Sequence, residues 1–151
     1  MRFKQDEIDL TGRFKARSDI LVPGISVDWG TIVTHEHSSG VYEGLLLRFR
    51  VSRLPDSRFV ATQGAIKHYR NYGTVLMQVV GPINEGPGRI LEVADKVSGI
   101  FMGWRSGGMH GKTSSAGPVI EDKSKASVTV STPYQSDFKV NAEGIVLPWV
   151  P

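Results

Sequence analysis

From Leu47 onward apolar and polar residues alternate: Leu47, Phe49 and Val51 take one side, and Arg48, Arg50 and Ser52 the other. A period of two predicts a half-buried strand over residues 45–53, with arginines on its outer face. A second run, Tyr72–Val80, carries Val75, Met77 and Val79 on one face and Leu76 and Val80 on the other. Apolar residues on both faces predict a central strand covered on both sides. The chain then turns through a Gly/Pro-rich connection, residues 81–88, and the period changes. Ile90, Ala94, Val97 and Phe101 recur at helical spacing, joined by Leu91, Val93 and Ile100, while Arg89, Glu92, Asp95 and Lys96 hold the polar positions. This predicts an amphipathic helix over about 88–102, with Glu92 and Lys96 ordered as a favourable i, i+4 pair.

The remaining elements are less sharply drawn. Leu10 and Phe14 share a face within residues 5–18, and Asp6, Glu7 and Asp9 sit near the favourable N-terminal end of the short helix this predicts. Gly12 weakens that helix by about 1 kcal/mol relative to alanine, and Pro23-Gly24 ends it. Residues 25–29 and Ser127–Thr132 read as strands, Phe59–Tyr69 as an ambiguous strand with a polar face, and 139–149 as a last strand interrupted by Gly144 and closed by Pro148. Two Gly/Ser-rich stretches, about 30–44 and 103–125, read as flexible loops; loops this long in a compact domain are usually functional or order on meeting a partner. The expected fold is a single α+β domain over 1–151. It is a mixed, mainly antiparallel sheet of about four to five strands, packed against the 88–102 helix and the N-terminal helix.

Composition narrows the chemistry. The chain has 151 residues, 40% of them hydrophobic, and no cysteine. Disulfides, thiolate nucleophiles and cysteine-ligated metals are thereby excluded. No apolar run reaches the eighteen or so residues that cross a bilayer, and MRFKQDEIDL is acidic where a signal peptide is apolar. A soluble protein made in the cytoplasm, with no membrane partner, is the expectation. The net charge of +3 arises wholly before residue 73 and is too small to mark a dedicated duplex binder.

Candidate chemistry is sparse. Gly111-Lys112-Thr113 resembles the end of a phosphate loop, but the required earlier glycine is Ser106, and no helix former follows. His35 and His37 flank Glu36 and would share a face on a strand, yet the adjacent Ser38-Ser39-Gly40 reads as a solvated tip, so no metal site is assigned. Serines abound without a nucleophile-elbow pattern, and the paired carboxylates Asp6-Glu7 and Glu121-Asp122 read as solvated charge. No catalytic residue and no cofactor are assigned. The best functional candidates are basic. Arg48, Arg50, Arg53 and Arg58, with Lys67, His68 and Arg70, would form an electropositive surface facing phosphate or an acidic partner. The alternative is an ordinary exposed strand face, where arginine also blunts edge pairing.

The order of parts resembles the tail terminator family of long-tailed bacteriophages and gene transfer agents. The resemblance spans most of the chain. It runs from the N-terminal helix ending at Val22-Pro23, through SVDW and the strand LLLRFRV, to the closing run GIVLPWVP. Its centre is Gly73, Val75, Met77 and Val79, then Gly86-Pro87-Gly88, then Leu91, Ala94-Asp95, Val97 and Phe101. The 103–125 loop looks longer and more basic than the family pattern, and DFKVNAEG matches it loosely.

The resemblance implies a non-enzymatic virion protein. Six copies would form a ring that caps the tail tube, terminates its polymerisation and joins the tail to the head connector or stopper protein. DNA would pass through the lumen without sequence-specific binding. The protein would reside at the tail–head junction. Arg48, Arg50, Arg53 and Arg58 are then candidates for the subunit interface or lumen, and Arg105, His110 and Lys112 for a partner-contact loop. Two rivals remain open: another head–tail joining protein of the stopper or completion kind, and a small nucleic-acid-binding module using Arg48, Arg50 and Arg53. An enzyme with a dispersed site ranks last.

Overall fold

The computed structural model describes residues 3–17, 25–28, 33–35, 44–54, 57–82 and 88–148. Its spine is one antiparallel pair. Strand β5 (Ile66–Pro82) runs against β10 (Lys125–Val140) in unbroken register from Lys67↔Val140 to Pro82↔Lys125. Strand β3 (Leu46–Arg53) pairs antiparallel with the second half of β5, from Arg53↔Gly73 to Leu46↔Val80. Strand β4 (Arg58–Gln63) pairs with the first half of β5, on the same side, through a turn at Gly64. The φ of Gly64 is 63°, a left-handed value that suits the twist of a tight hairpin. Beyond β3 lie β1 (Ser26–Asp28), parallel to it, and β2 (Val33–His35), antiparallel to β1.

The far side of β10 is lined by short strands: β7 (Met109–Gly111), β8 (Ser115–Ala116), β9 (Ile120–Asp122) and β11 (Val146–Leu147), with β6 (Arg105–Ser106) outside β7. The sheet is mixed and mainly antiparallel, as the sequence predicts, but holds eleven strands among the described residues rather than four or five. Much of the excess comes from 103–125. That stretch reads as a glycine-rich loop, yet the long side of β10 away from β5 offers backbone partners, and segments of two or three residues pair with it.

Alternation divides the sheet into two faces. Leu47 and Phe49, Val75, Met77 and Val79, and Val128, Val130 and Tyr134 all point one way and are buried. Helix α2 (Gly88–Ser98) lays Ile90, Val93, Ala94 and Val97 on that face, and Ile100 and Phe101 complete the contact just past its end. Helix α1 (Phe3–Ala16) adds Leu10 and Phe14, with the Phe14 ring centroid 4.8 Å from that of Phe49. Arg13 Nε donates to Ile100 O at 2.9 Å and ties α1 to the end of α2. The other face carries Arg48, Arg50, Gln78, Thr129 and Ser131, and among the described residues both helices lie away from it. Of the two aliphatic residues that the run Tyr72–Val80 turns to this second face, Val80 is buried, at 8% exposed. Leu76 is only half-buried, and Arg50 and Ser131 flank it in register.

One polar cluster interrupts the apolar layer. Asp6 of α1 is 1% exposed and accepts from Ser136 Oγ at 2.6 Å and from Asn71 Nδ2 at 3.0 Å. Ser57 Oγ donates in turn to Asn71 Oδ1. Asn71 and Ser136 are register partners on β5 and β10, so a single carboxylate fastens the first turns of α1 across the central pair. A buried charge is tolerated only when it is fully hydrogen-bonded.

Two glycines mark places without room for a side chain. A Cβ on Gly73 would stand 2.5 Å from Tyr134 Oη and 2.6 Å from Ser52 O. A Cβ on Gly111 would stand 1.9 Å from Phe101 O, where β7 crosses the end of α2.

Two outcomes follow. Gly111→Ala collides with backbone that cannot rotate away, so chemical denaturation should show a loss of about 3 kcal/mol or more. Asp6→Ala leaves the buried Asn71 amide and Ser136 hydroxyl without their acceptor, and should cost about 2–4 kcal/mol by the same measurement.

Candidate functional site

Register places Arg48, Arg50, Arg58 and Arg70 on the same polar face of the sheet, in two groups. Arg48 and Arg50 share the polar face of β3, where Asp28 of β1 lies beside them through the parallel β1–β3 pairing. Arg50 Nη1 donates to Asp28 O at 3.0 Å and Nη2 reaches Asp28 Oδ2 at 3.2 Å. Arg48 Nε lies 3.7 Å from the same carboxylate oxygen, and its Nη1 donates to Gln78 Oε1 at 3.3 Å. This group is largely solvated, and one carboxylate serves two guanidinium groups. Its net character is mildly positive.

Arg53 is corrected. Its odd position puts it on the helical face, where Nη1 lies 3.4 Å from Glu7 Oε2 of α1. Strand alternation over 47–52 already implies this, because Arg53 shares parity with Phe49 and Val51. Such an exposed pair is worth at most about 1 kcal/mol.

A denser cluster forms at the other end of the sheet. Arg58 on β4 stands over the Tyr72 ring, its Cζ 5.3 Å from the centroid, and Lys112 Nζ lies 5.9 Å from the same centroid. Lys112 is held there by its backbone, since its N–H donates to Pro133 O at 2.8 Å. Arg70 makes a two-pronged pair with Asp137, Nε to Oδ1 at 2.6 Å and Nη2 to Oδ2 at 3.0 Å, across the β5–β10 register. The bond to Asp137 first, and then Tyr72, hold the guanidinium further above its ordinary range. His110 pairs with Arg105 on β6 and Gln135 on β10. Its imidazole is held below the ordinary value, chiefly by desolvation and then by Arg105 and Lys112, with Asp137 opposing.

The candidates from 103–125, Arg105, His110 and Lys112, thus stand on β6 and β7 or directly after them, and Lys112 shares the Tyr72 ring with Arg58. Tyr72, the ring that links Arg58 to Lys112, carries no signal in the sequence beyond opening a strand. Asp28 and Asp137 were also missed, because their partners lie 22 and 67 residues away. A groove of about 290 Å³ opens beside this cluster, lined by Ser52, Arg53, Leu54, Tyr72, Lys112 and Tyr134 among others.

Other candidate chemistry is placed as follows. Gly111-Lys112-Thr113 leaves β7 under Phe101 and runs alongside β10, with its amides engaged by strand and turn partners rather than gathered into an anion cradle. His37 lies outside the described residues, and so does the side chain of His35. Among the described residues no three His, Asp or Glu side chains gather in a way that would hold a metal ion, and no helix is long and apolar enough to cross a membrane. Arginine and lysine around a tyrosine ring can attract carboxylate or phosphate and can pack against a flat polar surface.

No family model matches this chain, and no curated protein matches it. A solved structure whose name describes no function superposes with a TM-score of 0.51 at 23% identity, covering 84% of this chain and 92% of its own. That likeness shows the fold alone.

Tyr134 lines the groove and is 2% exposed. Burial, chiefly, pushes its phenol up to about 12. The unfolded chain ionises near the ordinary value of about 10. The Tyr134 contribution is therefore intact below about pH 10 and is lost as pH rises toward 12. Denaturation curves at successive alkaline pH values should fall more steeply for the wild type than for Tyr134→Phe over this window.

Proposed function

We propose that this chain is a structural protein of the tail terminator type. It forms a closed ring, expected to hold six copies, that caps a tail tube and joins it to a head-side connector or stopper protein. The ring stands at the junction of tail and head, and DNA passes through its lumen without sequence-specific contact. Neither a cofactor nor a catalytic residue enters this reading.

The observation that carries it is the asymmetry of the sheet. Helices cover one face. The second face is polar and open to the described residues, and the two lateral sides end in unlike strands, β4 and β2 on one and β6, β8, β9 and β11 on the other. A ring is built from heterologous contacts, in which one surface of a subunit meets a different surface of the next. A chain with two chemically distinct sides meets that requirement. The sequence resemblance centred on β5 and α2 supplies the identity of the ring.

The Arg58–Tyr72–Lys112 cluster favours one alternative, a small module that binds single-stranded nucleic acid through an aromatic platform flanked by cations. A stopper or completion protein is the nearer variant of the ring reading and differs in its partner.

Native mass measurement of the purified chain, alone and mixed with tail tube protein, separates these readings. The ring reading expects a sixfold mass in at least the mixture, with annular particles at tube ends in electron micrographs. A single-copy mass in both samples, together with oligonucleotide binding that weakens steeply with salt, would overturn it.

A further inference from the structure

The geometry points to a specific subunit contact: the β4–β5 hairpin of one copy packs its apolar, basic outer side against the β9 edge of the next. This rests on the ring reading and names which two surfaces meet.

The hairpin is unusual for its exposure. All six residues of β4 are exposed. Phe59 is 58% exposed and Val60 42%, and Ile66 joins them across the turn. Register puts Phe59 on the helix-bearing face, its ring centroid 5.8 Å from that of Tyr69, and puts Ile66 with Arg58 on the polar face, so the hairpin exposes apolar surface on both faces. A bulge between Phe59 and Ala61 breaks the strand register. Such a break disfavours a long added ladder, so the contact is made by side chains rather than by extending the sheet. Arg58 heads the strand. Among the described residues its one close partner is the Tyr72 ring, and no carboxylate pairs with it.

The complementary surface must lie on the opposite lateral side if copies are to join head to tail. Strands β6, β8, β9 and β11 end that side, and they differ in charge. Strand β6 brings Arg105, which would repel Arg58. Strand β8 is Ser115–Ala116 and carries no charge. The two residues of β11 are half-buried and uncharged. Among the described residues of that side, β9 offers both complements: Ile120 is 59% exposed, and Glu121 and Asp122 are exposed and close no ion pair with a described residue. Lys123 and Lys125 follow in the turn and the next strand without closing a salt bridge to either carboxylate. Ile120 and Asp122 share the polar face of β9, and Ile66 and Arg58 share the polar face of the hairpin, so each side offers an apolar residue and a charge of opposite sign.

The two surfaces cannot meet within one molecule. Asp122 pairs with Lys125, and Arg58 reaches β10 through Arg70 at Asp137. Twelve residues of extended strand separate these points, roughly 40 Å at the usual rise per residue. They also lie on opposite sides of the sheet. This separation makes each copy a donor at one end and an acceptor at the other.

The chain has no cysteine, so two introduced thiols report the contact without background. A disulfide forms only when Cα atoms approach within about 7 Å, which the intramolecular distance forbids. Under mild oxidation Arg58→Cys/Asp122→Cys should give a ladder of three or more linked copies that reductant collapses. Each single variant should stop at a dimer. A control pair, Arg58→Cys/Asp95→Cys, places the second thiol on the exposed side of α2 and should also stop at a dimer. Arg58→Glu should reduce the multi-copy fraction severalfold in native mass spectra, and Arg58→Glu/Asp122→Arg should restore much of it.

No ladder beyond a dimer, from folded protein, overturns the contact. If the unaltered chain still shows a multi-copy mass in that case, the ring survives and only this interface falls. If the ladder forms but grows without a fixed end point, the contact stands and the closed ring falls.

Discussion

The register between β5 and β10 is the constraint from which the remaining structure hangs. Side chains on a strand alternate with period two, so a slip by one residue would exchange the faces of a whole strand. In the observed register Val75, Met77 and Val79 face the same layer as Thr132, Val130 and Val128. A slip of β10 would set Ser127, Thr129 and Ser131 under α2 and put the valines in water. The hydrophobic cost of that exchange, at about 25 cal/mol per Å² of apolar surface, fixes the pairing more firmly than any single hydrogen bond. The outer strands then have no freedom of their own: β3 and β4 fill one side of β5, and the short strands fill the other side of β10.

Pro133 tests this account, because proline is usually excluded from the interior of a sheet. In an antiparallel strand the N–H and C=O of one residue point to the same side. Pro133 O accepts from Lys112 N, so the missing N–H also lies on that side, between β8 and β7, and the β5 ladder loses nothing. The same logic explains the buried polar cluster. Apolar packing would hold α1 in several neighbouring positions, whereas Asp6 is satisfied only where Asn71 and Ser136 stand side by side. A buried carboxylate contributes little net stability but penalises every misplacement of its helix.

This explains what the sequence made legible. Strand β3, the second half of β5, and α2 were readable because their positions are dictated by the local period, and each holds an almost pure apolar stripe. Strand β10 was readable only over Ser127–Thr132. Past that point its buried positions are Tyr134, Ser136 and Phe138, and a buried serine is not distinguishable from an exposed one without knowing that Asp6 lies above it. Strands β6, β7, β8 and β9 were not legible, since two or three residues carry no period and their pairing is imposed by the free side of β10. The arginines follow the same division. Arg48 and Arg50 could be assigned a face from alternation. The meeting of Arg58 with Lys112 at Tyr72 depends on a contact between segments more than fifty residues apart in sequence, and no local pattern encodes it.

The distribution of charge sharpens the functional reading beyond the resemblance. A face that meets DNA in passing should be positive without binding tightly, and the Arg48–Arg50 pair, half-neutralised by Asp28, has that character. A surface that joins subunits needs unpaired charge and exposed apolar area together, and these coincide at β4 and at β9 rather than on the arginine-bearing strand. Arg58 and Lys112 flank Tyr72 of the central strand on the same polar face as Arg48 and Arg50. The coincidence of exposed apolar side chains with charge at β4 and β9 is what supports the proposed assembly between protein surfaces.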